Sequence, residues 1–169
     1  MKLRHALSVT PVLAVALLAS ACGSSGQQAA SPPDATTTVA ANPDGPALGP
    51  VGDAETEAVF TLGGRKEFSM VGSVASVPSG EVSFTITNKG KLTHEFVLLK
   101  TDRKAADLEP NADNPQEVIE PGFVVEAEDL APGGTVKMKV PLPAGHYVFV
   151  CNQLGHATHG HMYTDFNVT

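Results

Sequence analysis

Apolar and polar residues alternate over most of the C-terminal two thirds of the chain. In "GEVSFTITNKG" (80–90), Val82, Phe84 and Ile86 fall on one side and Glu81, Ser83, Thr85 and Thr87 on the other. That is the period of a half-buried strand closed by a turn. "HEFVLLK" (94–100) follows after a short loop, with His94, Phe96 and Leu98 sharing a face. "GGTVKMKV" (133–140) sets Val136, Met138 and Val140 against Lys137 and Lys139. "GHYVFVC" (145–151) and "MYTDFNV" (162–168) complete the C-terminal set, and "AVFTL" (58–62) and "EFSMVG" (67–72) read as earlier strands. Residues 101–122 break the pattern, with one helical turn expected near "RKAADL". Short, closely spaced strands divided by turn signals predict an all-β domain, a Greek-key β-sandwich of about seven to eight strands spanning residues 54–169.

The N-terminal third has a different texture. Lys2 and Arg4 precede the apolar run "ALSVTPVLAVALLA" (6–19), which has the length of a signal peptide and is too short to span a bilayer. It ends in "LLASAC", small residues leading to Cys22 and then "GSSG". This resembles a bacterial lipobox, which implies a leader over residues 1–21 and lipid on Cys22; ordinary secretion with cleavage near an alanine is the other reading. Both export the chain. Residues 22–53 are rich in Gly, Ser, Ala, Thr and Pro, with Val39, Leu48 and Val51 as their large apolar side chains. Such a segment buries too little surface to offset chain entropy and is expected to be a disordered tether. A flexible chain of that length spans roughly 30 Å, enough to let an anchored domain reach a neighbour at the membrane.

Charge narrows the choice of partners. Eleven Lys and Arg face eighteen Asp and Glu, for a net charge of −7. Removing the leader takes away two of the cations and makes the mature chain more acidic still. Nucleic acid and an anionic lipid surface are therefore poor partners, whereas a basic protein is permitted. A monomer is expected, held at the membrane through its lipid.

The candidate chemistry lies in "GHYVFVCNQLGHATHGHMYTDFNVT" (145–169). The chain has 2 Cys, 6 His and 4 Met, and this stretch holds Cys151, His146, His156, His159, His161 and Met162. Cys151 closes one strand and His156 follows in a long loop, a place where rigid sheets carry sites. A sandwich can bring His94, at the start of its strand, alongside them. Two imidazoles, a thiolate and a weak axial thioether form the ligand set of a mononuclear blue-copper electron-transfer site. Thiolate stabilises Cu(I), imidazole tolerates both oxidation states, and a thioether does not enforce the square geometry that Cu(II) prefers. Taken one at a time, these residues have blander readings. A lone strand-end Cys is commonly a small buried hydrophobe, His94 a satisfied core histidine, and His146 and His159 surface residues; His156, His159 and His161 together form at most a weak adventitious site.

These residues also carry a family resemblance. "GEVSFTITNKGKLTHEFVLL" and "LAPGGTVKMKVPLPAGHYVFVCNQLGH" are similar to the approach strands and copper hairpin of the cupredoxins, the plastocyanin, azurin and rusticyanin class. The similarity covers about residues 80–169. It implies copper as the cofactor, His94, Cys151 and His156 as ligands, and one-electron transfer with a respiratory redox protein as partner at the outer face of the cytoplasmic membrane. Two departures stand out. Glu95 follows His94, where several members of the family carry an Asn near the thiolate. In "GHATHGHMYTDF", counting forward from His156 puts His161 at the usual Met position, whereas counting back from Phe166 favours Met162 as the fourth ligand. No catalytic triad stands out, a dinuclear oxidase-type centre needs a second cysteine in the loop, and a structural zinc site is usually richer in Cys, so no enzymatic activity is expected. A protein that scavenges, detoxifies or delivers copper without a redox partner is the competing function, and the His-rich loop fits it as well.

Overall fold

The computed structural model of the protein describes residues 35–37 and 49–169. Ten strands are formed: β1 (Ala35–Thr37), β2 (Ala54–Leu62), β3 (Met70–Gly72), β4 (Ser76–Val77), β5 (Gly80–Asn88), β6 (His94–Lys100), β7 (Phe123–Leu130), β8 (Thr135–Leu142), β9 (Gly145–Val150) and β10 (Tyr163–Val168). They build two five-stranded sheets, ordered β1-β8-β5-β2-β3 and β4-β10-β9-β6-β7. The all-β sandwich is as expected; the strand number exceeds seven to eight because short edge pieces and β7 add to the count. The leader, Cys22 and most of the stretch read as a tether lie outside the described residues. Within that stretch, Ala35–Thr37 pair in parallel with Val136, Lys137 and Met138 of β8.

The first sheet follows the alternation directly. β2 runs parallel to β5, and β5 antiparallel to β8, so Ala58, Phe60 and Leu62, then Val82, Phe84 and Ile86, then Met138, Val140 and Leu142 all turn inward. The opposing sheet contributes Phe96, Leu98, Tyr147, Phe149, Phe166 and Val168. Five of the seven phenylalanines meet here. Phe149 lies 4.4 Å from Phe60, 4.5 Å from Phe96 and 5.1 Å from Phe166, ring centre to ring centre. Aromatic packing of this kind anchors the two sheets by burying large areas in fixed geometry.

β6 and β9 are buried on both faces. Val97, Leu99, Val148 and Val150 point away from the aromatic core into a second cluster with Ala105, Val118 and Ala157. The cover is the 101–122 excursion, which includes a 3₁₀ turn at Ala105–Asp107, where the helical turn was expected, and an isolated bridge between Pro110 and Val118. This explains the unbroken apolar run "FVLL" in β6, since a strand covered on both sides has no polar face to display. With both faces covered, the C-terminal end of β9 and the N-terminal end of β6 become a rigid platform at one edge of the sandwich. That platform carries the candidate site.

Candidate metal centre

His94 is the first residue of β6, Cys151 the first residue beyond β9, and His156 lies in the loop leading to β10. β6 and β9 are antiparallel neighbours, with Val97 opposite Val150, so the two strand ends lie side by side. The loop is folded on itself. His156 N donates to Gln153 O, His159 N and Gly160 N to Gly155 O, and Met162 N to His156 O, while Cys151 N donates to Met162 O and closes the loop. It is also tied to the 101–122 excursion. Gly155 N donates to Gln116 O, and the Asn152 side chain accepts from Val118 N and donates to Val118 O and Glu120 Oε1. Asn152 had no place in the sequence reading; the signal was a polar residue directly after a strand-end cysteine.

The three side chains converge. Sγ of Cys151 is 3.2 Å from Nδ1 of His156 and 3.8 Å from Nδ1 of His94, and the two Nδ1 atoms are 3.2 Å apart. His94 and Cys151 are fully buried, and His156 is 9% exposed. Among the described residues, these form a buried group with the donor types of a transition-metal site. A triangle with those edges has its centre about 2.0 Å from each corner, the length of an imidazole bond to a first-row metal and about 0.3 Å short of a thiolate bond. The donor set fits one metal ion of the His₂Cys type.

Burial keeps the metal-free site uncharged. Burial pushes the Cys151 thiol up to about 11, although the backbone N–H groups of Glu95 and Gln153 are directed at the sulfur and favour the thiolate. The Glu95 N–H lies 3.2 Å from Sγ. Burial lowers the pKa of both histidines, and for His156 the neighbouring His94 adds to it. The metal-free site therefore holds neutral donors and one proton that a cation must displace.

The remaining sequence candidates separate. Met162 is fully buried and belongs to the same core cluster as Cys151. His161 is exposed, sits at φ 53° and has its Nδ1 3.3 Å from the Tyr163 hydroxyl. His159 is paired with Thr158 at the loop surface. His146, expected at the surface, is half-buried at the far end of β9, its ring nitrogens facing Thr101 O and Asp165 Oδ1, so it is a structural link. Glu95 turns its carboxylate away from the sulfur into a cleft of about 380 Å³ that it shares with Glu120, Glu126 and Glu128. There burial, then Glu126 and Glu120, raise its pKa to about 7.

Residues 67–68, read from the sequence as the start of a strand, form a turn ahead of β3. That turn brings two residues to the centre. Glu67 Oε1 is 3.1 Å from Nε2 of His94, and the Phe68 ring lies edge-on to His156 at 5.0 Å.

No family model matches the chain, and no curated protein matches it. Solved structures do. The dithionite-reduced auracyanin of the photosynthetic bacterium Roseiflexus castenholzii is 22% identical, covering 70% of this chain and 99% of its own, with a TM-score of 0.52. Reduced rusticyanin is 19% identical over 70% of this chain and 82% of its own, with a TM-score of 0.53. The rusticyanin of Thiobacillus ferrooxidans is 19% identical over 69% of this chain and 79% of its own, with a TM-score of 0.52. The sandwich is thus of the kind the sequence led us to expect: the chain has the cupredoxin fold.

Proposed function

We propose that the protein is a type 1 copper protein that carries single electrons between redox proteins outside the cytoplasm, tethered to the membrane through lipid on Cys22. The observation that carries this is the buried triangle of His94, Cys151 and His156 on a cupredoxin sandwich. Rusticyanin, which shares the fold, is a copper protein. Copper bound there would supply a one-electron couple. The chain supplies the rest. The imidazoles of His94 and His156 and the Cys151 sulfur present one soft and two borderline donors at fixed separations. The N–H groups of Glu95 and Gln153 lend hydrogen bonds to a thiolate. The loop hydrogen bonds and the Asn152 clamp hold the donors in place whichever oxidation state they face, which keeps rearrangement on electron transfer small.

Burial of all three donors also bears on the choice between carrying electrons and handing over metal. A protein that delivers copper needs a donor the recipient can reach, and here the most open one, His156, is 9% exposed and flanked by Phe68. The deciding experiment is to load the purified protein with Cu(II) and record its visible and EPR spectra, then measure its exchange with a Cu(I) chelator. An intense thiolate-to-copper band that disappears in Cys151→Ser, with slow exchange, is expected. A Ser variant that keeps the band overturns the assignment, and rapid loss of metal to the chelator turns the reading to copper handling.

A further inference from the structure

Two consecutive residues of one turn reach the two histidines: Glu67 meets His94 and Phe68 meets His156. The turn is closed by Ser69, whose hydroxyl donates to Gly63 O and Lys66 O. Glu67 is held in place by more than His94. Its Oε1 accepts from Lys91 N at 2.7 Å and from Leu92 N at 2.9 Å, both in the turn between β5 and β6 that delivers His94. One carboxylate oxygen thus joins the β2–β3 turn to the β5–β6 turn and to the ring.

We propose that Glu67 is a positioning residue of the metal centre, fixing the tautomer and orientation of His94 and lending negative charge through its ring. The inference rests on reading the His94, Cys151 and His156 group as a metal site. An oxygen that receives two backbone N–H groups carries no proton of its own, so at the third contact it accepts as well. Nε2 of His94 must then bear the ring proton, and Nδ1 is left with a bare lone pair. Nδ1 is the nitrogen that faces Cys151 and His156. Glu67 lies on the opposite edge of the ring, so it acts on a metal through His94 and is not itself a ligand. Carboxylate–imidazole–metal relays of this kind raise the basicity of the ligand and hold its plane.

The backbone around this contact is shaped to admit it. A Cβ on Gly90 would run into Glu67 Oε1 and come within 2.8 Å of His94 Nε2, and one on Gly63 would come within 3.2 Å of that same nitrogen. Gly63 also has φ 67°, where a side chain is strained. The Cβ on Gly63 would meet the Gly90 backbone first, so the two glycines lie against each other beside Nε2, and a side chain on Gly90 would displace the carboxylate from the ring.

Negative charge beside an imidazole ligand favours the more highly charged state of the metal, so Glu67 should lower the potential of the centre. The test uses the full mature protein and two variants. Glu67→Gln keeps an acceptor oxygen for Lys91, Leu92 and His94 but removes the charge; Glu67→Ala removes both. The first readout needs no copper: long-range ¹⁵N–¹H correlation on the metal-free protein, which should show His94 protonated at Nε2 in the wild type and in Glu67→Gln, and mixed tautomers in Glu67→Ala. The second is Zn(II) affinity, expected to fall about 10- to 100-fold in Glu67→Ala. The third is the copper potential, expected to rise in both variants. An unchanged His94 tautomer in Glu67→Ala together with an unchanged potential in Glu67→Gln overturns the proposal. If Glu67→Ala does not fold, an unchanged potential in Glu67→Gln alone overturns it. Should the wild type fail to bind copper as a coloured centre, the copper reading falls, while the tautomer in the metal-free protein still decides what Glu67 does.

Discussion

The backbone N–H of Glu95 points at the sulfur of Cys151 from 3.2 Å. Alternation along β6 makes this possible. His94 turns its side chain into the centre, so the side chain of the next residue must turn out, and only its backbone is left to face the thiolate. The sulfur is thus served here by the main chain of Glu95 and not by its side chain. The outward carboxylate joins Glu120, Glu126 and Glu128.

It follows that the charge of Glu95 is separable from its service to Cys151. Glu95→Gln should leave the visible spectrum of the copper-loaded protein in place. Its effect on stability should depend on pH. The folded pKa is raised from 4.5 to about 7, so folding favours the neutral acid: below about 4.5 the group is protonated in both states and costs nothing. As pH rises through about 7 the folded protein must accept a charge that the unfolded chain carries freely, and stability is lost over that window. Denaturant unfolding of the metal-free proteins should show Glu95→Gln more stable than wild type by about 1–2 kcal/mol at pH 8, after allowance for solvent screening. The advantage should vanish near pH 4.5. An equal gap at both pH values would refute this account.

The thiol of Cys151 gives a second pH dependence, of opposite sense. With its pKa pushed up to about 11 and both histidines held neutral by burial, the proton displaced by a metal at neutral pH comes from the sulfur. Binding of Zn(II) should release about one proton, and affinity should rise about tenfold per pH unit between about pH 8 and 10. Competition titrations at fixed free metal measure both. Release of two protons would mean that a histidine is cationic in the metal-free site.

How much of this was legible beforehand depended on the length scale of each feature. Strands with one buried face, such as β5 with Val82, Phe84 and Ile86, announce themselves by period. β7 does not. Phe123, Val124 and Val125 run together and are followed by acids, and the strand pairs with β6 through irregularities near His94 and Leu98. The Cys151–His156 pair was visible because its spacing is local. Glu67 was hidden because its partners lie 24 to 27 residues away, and "EFSMVG" reads as a strand when nothing shows that Glu67 and Phe68 are drawn out of it towards two histidines. Asn152 was hidden for the same reason, its partner Val118 being 34 residues distant.

Anchoring is open to a direct measurement. "LLASAC" predicts a mature N-terminus at Cys22 bearing lipid, and stable attachment requires more than one acyl chain. Mass spectrometry of the protein extracted from native membranes should find acylated Cys22 as the first residue, and Cys22→Ala should yield unprocessed precursor or soluble protein. An unmodified N-terminus elsewhere in the mature protein excludes the anchor.

Met162 and His161 are the two candidates for the fourth ligand, and the backbone of the loop separates them. Residue 162 closes the loop at both ends, donating from its N–H to His156 O and accepting at its C=O from Cys151 N, each at 3.0 Å. Its position is therefore fixed relative to two of the three donors, and its side chain is fully buried in the cluster that includes Cys151. The residue before it adopts φ 53°, and this left-handed step turns the His161 side chain out to solvent, beside Tyr163. An exposed imidazole on the far side of such a step would have to unwind the loop to bind. We therefore expect Met162 to be the weak axial ligand. Met162→Leu should keep the visible band and raise the potential, since a soft but real donor is replaced by none. His161→Gly should leave spectrum and potential unchanged and stabilise the protein slightly, by about 0.5–1 kcal/mol, because glycine adopts the left-handed conformation without the Cβ penalty. Voltammetry and visible spectroscopy on the two variants decide the matter: a silent Met162→Leu alongside a His161→Gly that transforms the spectrum would assign the axial place to histidine.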